Sequence, residues 1–391
     1  MGSGFFRRIN DALTARKESG LYRYPPTVER VDGHFMDSGG KRYLNFSSND
    51  YLGLAGTPDV CRFWQEGVSR YGAGSTASPL VTGYSSPHAD LERMLCDWLG
   101  FESAVLFNSG FAANQAVIFT LCDKEDLVIQ DKLNHASLME AGMLSPARMK
   151  RFRHNDTESL SAALSCTVTG NRLVVTEGVF SMDGDKSPLS EIATVARHHD
   201  AWLMVDDAHG IGVLGEDGSG SCRSAGIKPD ILVVTFGKAF GLMGAAVLCQ
   251  TETADYLRQF GRHYVYSTAM PPAQAYTIRR TAEIIQTQQW RREKLSELSA
   301  VWEEALSGIP GATHTNTPIK PVIVGQSEPM LRLSEYLRQK GYWVGAIRPP
   351  TVPANKARLR VTLSVSQPKV AVLALAGEIK NMLEGEQCLP S

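Results

Sequence analysis

The sequence predicts an α/β fold with a mostly parallel central sheet, helices on both faces of that sheet, and a smaller C-terminal α+β domain. Between residues 104 and 248, short and nearly continuous apolar runs alternate with longer segments of helical period. Strands that are apolar on both faces are typical of a parallel sheet buried between helices. From about residue 285 the pattern changes, because a charged helix there precedes short, well-separated strands. This change predicts the smaller domain.

The N-terminal region, residues 1–45, reads as an arm with its own helix and hairpin. Residues 5 to about 19 have the pattern of an amphipathic helix. We expect a hairpin of strands 28–31 and 43–46 around Gly39-Gly40, because glycine readily adopts the positive φ angles of tight turns. The arm is expected to pack on a larger body.

The central region, residues 46–284, carries the strands of the predicted parallel sheet. In open sheets of this kind, ligands bind at the carboxyl ends of the strands. Residues that directly follow a strand are therefore candidates for a functional site. The predicted strands are 104–107, 127–130, 173–176, 202–206, 231–235 and 245–248, and helices at 111–121, 135–143 and 189–199 lie between several of them.

The last region, residues 285–391, predicts the small α+β domain. A charged helix around Arg291-Arg-Glu-Lys precedes strands at 319–324 and 357–363. Pro321 has no N–H to give to a neighbouring strand, so its strand is expected at the edge of a sheet.

Composition excludes several classes of protein. The 391 residues exceed one typical domain, and a net charge of −1 gives no reason to expect nucleic acid or a membrane surface as partner. The seven cysteines lack CxxC spacing, which indicates reduced thiols rather than a disulfide framework or a zinc site. No apolar run reaches the roughly 18 residues of a membrane span, and the start does not resemble a signal peptide. We therefore expect a cytoplasmic protein without a metal.

Two predicted strands end in groups that together indicate a site for pyridoxal phosphate. Strand 202–206 ends at Asp206, and Lys238 follows strand 231–235. Pyridoxal phosphate needs an amine to hold its aldehyde carbon and an anion against its ring nitrogen. Burial beside a cationic ring lowers the pKa of a lysine and makes it a better nucleophile. Either residue alone would more often be a surface lysine or a turn cap, but the pair favours the cofactor site.

Neighbouring motifs are consistent with the same site. The stretch Asn108-Ser-Gly-Phe-Ala-Ala-Asn follows a strand and begins a helix. The backbone amides around Gly110 and Phe111 therefore form a candidate phosphate-binding site. Ser181 and His209 lie near predicted strand ends, where they could bind the cofactor's phenolic oxygen or equally make turn contacts. His135 alone would more often be a capping or core histidine, and it becomes a candidate site residue only because of these neighbouring motifs.

Six stretches resemble the α-oxoamine synthases, which are pyridoxal-phosphate-dependent transferases of fold type I. The resemblance runs from the arm to the last domain and covers nearly the whole chain. The stretches are Asn45-Phe-Ser-Ser-Asn-Asp-Tyr-Leu-Gly-Leu, Ser109-Gly-Phe-Ala-Ala-Asn-Gln-Ala, Thr176-Glu-Gly-Val-Phe-Ser-Met-Asp-Gly-Asp, Val205-Asp-Asp-Ala-His-Gly, Val234-Thr-Phe-Gly-Lys and Ile347-Arg-Pro-Pro-Thr-Val-Pro.

The resemblance implies a role for each matching residue in binding the cofactor. Lys238 would carry the cofactor, Asp206 would pair with its ring nitrogen, and His135 would stack on its ring. Ser181 and His209 would bind the phenolic oxygen. The implied contacts to the phosphate and nearby cofactor atoms are Gly110, Phe111 and Thr235, with Ser267 and Thr268 reaching the phosphate from the other subunit of a homodimer.

The resemblance also implies the substrates. The reaction would be a decarboxylative condensation of L-alanine with a pimeloyl thioester, carried on coenzyme A or on acyl carrier protein. Asn49 and Arg360 would hold the amino-acid carboxylate, for which a guanidinium fork is well shaped. Ser78 stands where glycine-specific relatives tend to have threonine, which favours alanine as the substrate. The implied contacts to the acyl substrate are Arg23, Arg348 and Thr351.

Two loops depart from the family pattern. Gly74-Ser-Thr-Ala-Ser78, followed by Pro79, replaces an expected Gly-Ser-Gly-Gly-Ser loop, and Met243 stands where a small residue is expected. Side chains in place of glycine can narrow a pocket, so we expect these loops to affect the choice of acyl chain.

Three alternatives differ in class. Another α-oxoamine synthase would join glycine or serine to a different acyl-CoA. A non-catalytic subunit of the serine palmitoyltransferase type would lack the cofactor lysine, whereas Lys238 is present. A nucleotide-binding P-loop would require a glycine at a fixed spacing upstream of Gly237-Lys238 and a serine or threonine after the lysine, and the sequence has neither that spacing nor that residue.

Overall fold

The computed structural model describes residues 4–386, whose strands form two sheets. A five-residue π-helix spans Pro79–Gly83. The strands are β1 (Arg30–Asp32), β2 (Phe35–Ser38), β3 (Lys41–Phe46), β4 (Ser103–Phe107), β5 (Leu127–Asp131), β6 (Arg148–Phe152), β7 (Arg172–Glu177), β8 (Trp202–Asp206), β9 (Ile231–Thr235), β10 (Ala245–Cys249), β11 (Ile319–Gly325), β12 (Tyr342–Ile347) and β13 (Ala357–Thr362). The α-helices are α1 (Gly4–Glu18), α2 (Pro58–Tyr71), α3 (Ser86–Leu99), α4 (Gly110–Leu121), α5 (Ala136–Leu144), α6 (Thr157–Leu164), α7 (Leu189–His198), α8 (Ser221–Ser224), α9 (Thr251–Phe260), α10 (Arg262–Val265), α11 (Pro272–Thr287), α12 (Trp290–Ala305), α13 (Ser327–Gln339) and α14 (Lys369–Glu386).

The central sheet has the strand order β4-β10-β9-β8-β7-β5-β6. Its neighbouring strands are parallel, except that β10 runs antiparallel to both β4 and β9. This confirms the predicted mostly parallel sheet, and the six strands and three helices predicted there are all present. β6 was not predicted, because its run Arg148-Met-Lys-Arg-Phe is too polar for a buried strand. The structure explains this polarity, because β6 is an edge strand.

Apolar side chains fill both faces of the central sheet. On β9, Leu232 and Val234 pack into one core, whereas Ile231 and Val233 pack into the other, and all four are buried. A strand that contributes to two cores must be apolar at every position. This is the physical origin of the continuous apolar runs from which the fold was predicted.

The second sheet combines both ends of the chain in the order β1-β2-β3-β12-β13-β11. β3 pairs in parallel with β12, so the N-terminal hairpin extends the C-terminal sheet. The predicted pairing of 28–31 with 43–46 is wrong: β2 pairs with β3 across Gly39-Gly40, whose φ angles are 59° and 71°. A two-residue turn joins the strands that directly flank it, and the prediction had omitted 35–38. Pro321 lies on the edge strand β11, as expected.

The loop that follows β7 joins the second sheet to the ends of the central strands. The guanidinium of Arg358 donates to the Met182 carbonyl (3.3 Å), and Arg358 also forms an ion pair with Asp183. Thr317 Oγ1 donates to the Gly184 carbonyl at 2.7 Å. These contacts hold β13 and the residues before β11 against the loop that follows β7.

No helix within residues 4–386 is long and apolar enough to cross a membrane. The six cysteines in that range are free. The seventh, Cys388, and the first three residues of the start lie outside the described residues.

His154 lies between two carboxylates, and one of them belongs to the loop that follows β7. His154 Nδ1 lies 3.0 Å from Asp131 Oδ1, and its Nε2 lies 2.7 Å from Asp185 Oδ2. Burial acts to lower the pKa of His154, but the hydrogen bonds and charges of the two carboxylates outweigh it and raise the pKa to about 10. The imidazolium is therefore the bound form at neutral pH.

We expect His154→Gln to reduce the free energy of unfolding more at low pH than at high pH. A histidine whose pKa rises on folding stabilises fully below its unfolded pKa of roughly 6.5, and this contribution is lost as the pH rises through the folded value. The expected loss is about 1.5–3 kcal/mol at about pH 6, as for hydrogen bonds to charged groups. Urea denaturation at about pH 6 and about pH 10.5 measures it, and an equal loss at both would contradict the assignment.

Candidate functional site

The carboxyl ends of the central strands surround a cavity of about 290 Å³. Its walls come from residues that follow β4, β5, β8 and β9, as expected for a sheet of this topology. Eight residues predicted from the sequence line it: Asn49, Gly110, Phe111, His135, Asp206, His209, Thr235 and Lys238.

Asp206 ends β8 and is held by two donors. Its Oδ2 accepts from Asn114 Nδ2 at 2.7 Å, and its Oδ1 accepts from the backbone N–H of Ala208 at 3.0 Å. The residue is buried. The two bonds fix the direction in which the carboxylate faces the cavity.

Lys238 lies three residues beyond β9 and is half-buried. Among residues 4–386, its Nζ has no hydrogen-bond partner. Burial lowers the pKa of Lys238, and the charges of Asp206 and Glu177 only partly oppose this. The amine is therefore closer to its neutral, nucleophilic form than a surface lysine would be.

His135 caps the start of α5. Its ring Nδ1 accepts from the backbone N–H of Ser137 (3.2 Å), and the backbone N–H of His135 donates to Glu177 Oε1 at 2.5 Å. Burial lowers the pKa of His135, so the ring is neutral at neutral pH. Burial, together with the charge of Asp206, raises the pKa of Glu177 well above its ordinary value. These shifts leave few charges in the cavity wall besides Asp206 and Lys238.

The start of α4 and the end of β9 together form a polar corner of the cavity. Ser109 Oγ caps the helix by accepting from the N–H of Ala112 at 3.1 Å. Thr235 Oγ1 is buried and has no hydrogen-bond partner among the described residues. A Cβ at Gly110 would lie 2.7 Å from Thr235 Cγ2, so only glycine allows this close approach. A helix N-terminus beside an unpaired hydroxyl is suited to an anion.

Arg360 reaches the cavity from β13 through Asn49. Its Nε donates to the Ser181 carbonyl at 2.6 Å and its Nη1 to Asn49 Oδ1 at 3.2 Å. Both Arg360 and the fully buried Lys320 lie on the C-terminal sheet, but only Arg360 points towards the central strands through these bonds. Ser181 is not among the residues that line the cavity, although Arg360 holds it nearby.

The predicted acyl contacts lie together, outside the lining of the cavity. Arg23 Nη2 donates to Thr351 Oγ1 at 3.2 Å, and Arg348 Nη2 donates to the Tyr22 carbonyl at 3.3 Å. Burial and then the nearby charge of Arg23 lower the pKa of Arg348. Two guanidinium groups are thus close to each other.

The remaining predicted residues lie on adjoining loops. Ser267 and Thr268 line a separate cavity of about 20 Å³, where the Thr268 carbonyl accepts from Asn108 Nδ2 at 2.9 Å. The Ser78 carbonyl accepts from the N–H of Gly83 at 3.0 Å. Of the residues that depart from the family pattern, Met243 lines the main cavity, and Thr76 has a φ of 61°. The structure therefore places Met243 at the cavity, and it places Thr76 in a backbone conformation that favours glycine.

Four residues of the site were not predicted from the sequence: Asn114, Ser137, Glu177 and Tyr51. Asn114 lies four residues after Gly110, hence on the same face of α4, and a buried asparagine in an apolar helix was a usable signal. Glu177 ends the apolar strand β7 as Asp206 ends β8. Ser137 accepts from Asn114, which lies 23 positions earlier, and nothing local in the sequence indicated Tyr51, because its partner His209 is remote in the chain.

Comparisons with known proteins agree with this geometry. The model of the family "Aminotransferase class I and II" matches residues 41–376. The 8-amino-7-oxononanoate synthase of Vibrio cholerae serotype O1 is 59% identical over 380 residues, which are 97% of this chain and 98% of the relative. The protein of the same name from Vibrio atlanticus is 56% identical over 97% of this chain and 94% of the relative.

Solved structures share the fold. A serine palmitoyltransferase variant from S. paucimobilis, with bound PLP and myriocin, has a TM-score of 0.91 at 27% identity and covers 98% of both chains. The 8-amino-7-oxononanoate synthase of Francisella tularensis has a TM-score of 0.78 at 28% identity, covering 88% of this chain and 99% of that one. These likenesses confirm the predicted fold class. The chain belongs to the class I and II aminotransferase family and, within it, to the 8-amino-7-oxononanoate synthases.

Proposed function

We propose that this protein catalyses the decarboxylative condensation of L-alanine with a pimeloyl thioester. The products are 8-amino-7-oxononanoate, carbon dioxide and the free thiol, and the reaction belongs to biotin biosynthesis. The observation that carries the proposal is the amine of Lys238, which has no partner within residues 4–386 and shares a cavity with the oriented carboxylate of Asp206. The identity of 59% to a synthase of this name supports the choice of substrates.

The residues of the cavity fit pyridoxal phosphate. The Lys238 amine suits the aldehyde carbon of the cofactor, and the anchored carboxylate of Asp206 suits its ring nitrogen. The Thr235 hydroxyl, which has no partner in the described part of the chain, lies beside Gly110 at the start of α4 and suits the phosphate. The neutral ring of His135 is suited to stacking.

When bound, the cofactor supplies an electron sink for the charge that develops at the amino-acid Cα. Lys238 Nζ, with its lowered pKa, takes the Cα proton of alanine and later returns a proton to the product carbon. Asp206 keeps a proton on the ring nitrogen. Asn114 keeps Asp206 in place through its 2.7 Å bond.

Arg360 and Asn49 bind the carboxylate of alanine. The Ser181 carbonyl and the Asn49 amide fix the plane of the Arg360 guanidinium, so little rotational freedom is lost when a carboxylate binds. The acyl substrate lies further out, near Arg23, Arg348 and Thr351. The paired guanidinium groups there suit the free carboxylate of a pimeloyl chain.

The working form is a homodimer, in which Ser267 and Thr268 reach the phosphate of the partner's site. Large apolar side chains of the single chain are exposed, namely Phe5 (70%), Phe6 (60%) and Tyr266 (74%). A second copy of the chain would cover such exposed apolar side chains. The free thiols support a reducing compartment such as the cytoplasm.

L-Alanine is expected to be used at least about tenfold better than glycine, as kcat/KM, since one methyl group in a fitted pocket is worth about that factor or more. Measuring amino-ketone formation from each amino acid, with pimeloyl-CoA and with pimeloyl acyl carrier protein, tests the substrate and identifies the donor. Equal or better use of glycine would instead support a different α-oxoamine synthase.

A further inference from the structure

We propose that Tyr51 is a positioning residue, which determines the nitrogen of His209 that carries the proton. Tyr51 thereby makes His209 a hydrogen-bond donor towards the cavity. The inference rests on the proposed cofactor site, but it concerns a proton position that can be measured apart from turnover.

The two side chains form a short contact in the interior. Tyr51 lies between β3 and α2, and His209 lies on the loop after β8. The Tyr51 hydroxyl is 2.6 Å from His209 Nδ1, although 158 positions separate the two residues in the chain. Both are buried. The Tyr51 backbone is fixed as well, because its carbonyl accepts from the N–H of Val365 at 2.9 Å.

The protonation states leave two possible arrangements. Burial raises the pKa of Tyr51 to about 12, so the phenol keeps its proton at neutral pH. Burial, followed by the charges of Lys238 and Arg360, lowers the pKa of His209 well below its ordinary value. The ring is therefore neutral and has one N–H. Either Tyr51 donates to Nδ1, or Nδ1 donates to Tyr51 and the phenol must donate elsewhere.

The geometry selects the first arrangement. Within residues 4–386, the second acceptor near the Tyr51 hydroxyl is Asn49 Oδ1 at 3.4 Å, longer than the ordinary O–H···O range of about 2.5–3.0 Å. That oxygen already accepts from Arg360 at 3.2 Å. The phenol proton therefore lies between Tyr51 and Nδ1, and the ring proton lies on Nε2.

A defined tautomer has a consequence for the cavity. His209 lines the cavity, and within residues 4–386 its Nε2 has no hydrogen-bond partner. A proton on Nε2 presents a neutral donor there, which suits an oxygen acceptor on the bound cofactor, whereas the other tautomer would present a lone pair. The same contacts link Arg360 through Asn49 and Tyr51 to His209, so the substrate-binding strand and the cofactor site share one network.

The test is the tautomer of His209 in the holoenzyme. Long-range ¹H–¹⁵N NMR spectra of protein labelled with ¹⁵N-histidine distinguish a proton on Nδ1 from one on Nε2, and the His209→Gln variant identifies the signal. We expect the Nε2–H form in the unaltered protein. In Tyr51→Phe we expect the Nδ1–H form to gain at least about fivefold in relative population, and cofactor to bind roughly three- to tenfold more weakly, as for loss of one hydrogen bond.

A matched control separates this role from a general loss of packing. Tyr276 is also buried, and its hydroxyl donates to Glu66 at 2.9 Å, away from the cavity. Tyr276→Phe should leave the His209 signal and the affinity for cofactor unchanged.

The proposal fails if His209 of the unaltered protein carries its proton on Nδ1, or if Tyr51→Phe leaves the tautomer ratio unchanged. The first result needs no variant, so it stands even if Tyr51→Phe does not fold. A correct tautomer in a protein that does not condense alanine would overturn the proposed function and leave the role of Tyr51 intact.

Discussion

Replacement of Lys238 by alanine is expected to lower kcat for 8-amino-7-oxononanoate formation by at least about 10³-fold, because both the covalent anchor and the proton-transfer group are lost. Lys238 is the residue of the cavity whose amine combines a lowered pKa with no partner within residues 4–386. The variant should still bind pyridoxal phosphate, since Asp206 and Thr235 remain. Product formation is measured by mass spectrometry with saturating cofactor.

Two controls accompany this variant. Lys228→Ala removes an exposed lysine whose ammonium lies 5.1 Å from the centre of the Phe101 ring, and it should leave kcat within about twofold, as for most surface substitutions. Borohydride reduction of the unaltered holoenzyme, followed by peptide mapping, should find the cofactor on the peptide that contains Lys238. Cofactor trapped on another lysine, or full activity of Lys238→Ala, would refute the assignment.

The Asp206→Asn variant is expected to lose about 10²–10³-fold in kcat, the range observed when one preorganised electrostatic contact to the reacting system is removed. Asparagine keeps the size of the side chain but not the charge that would hold a proton on the ring nitrogen. The amide of Asn114 would then face a neutral group. The affinity for cofactor should change much less than kcat, because the phosphate corner around Thr235 is intact.

The neighbouring carboxylate provides the control. Asp207 is fully buried, accepts from the N–H of Ser221 at 2.8 Å and does not line the cavity. Burial raises the pKa of Asp207 to about 7, so a neutral side chain of the same shape should be tolerated. We expect Asp207→Asn to keep kcat within about threefold, because it adds no volume and removes no contact to substrate. Equal losses in both variants would mean that Asp206 acts only through packing.

The sequence predicted the parts of the fold whose cause is local. Strands such as β9 contribute to two cores and must be apolar at each position, so their sequence alone identifies them. β6 was not predicted, because it is an edge strand of the described sheet and its residues are polar. β2 was not predicted, because a strand of four residues beside a tight turn is too short for its sequence pattern to be distinguished from that of a loop.

The candidate site was predictable to the extent that its residues directly follow strands. Asp206 and Lys238 could be placed together because carboxyl ends of parallel strands meet at one edge. Contacts between remote segments could not be predicted, since pattern and spacing do not report them. Tyr51 contacts His209, and Arg360 contacts Ser181, because strands from both ends of the chain share one sheet, and this sheet contacts the loop after β7.

The most direct test of the proposed function is an isotope-resolved assay of the full chain with pyridoxal phosphate, pimeloyl-CoA or pimeloyl acyl carrier protein, and L-alanine labelled separately at the carboxyl and methyl carbons. The expected result is 8-amino-7-oxononanoate that retains the methyl label, with the carboxyl label released as carbon dioxide. Absence of this product with both donors, together with an amino ketone formed from glycine or serine and another acyl-CoA, would contradict it.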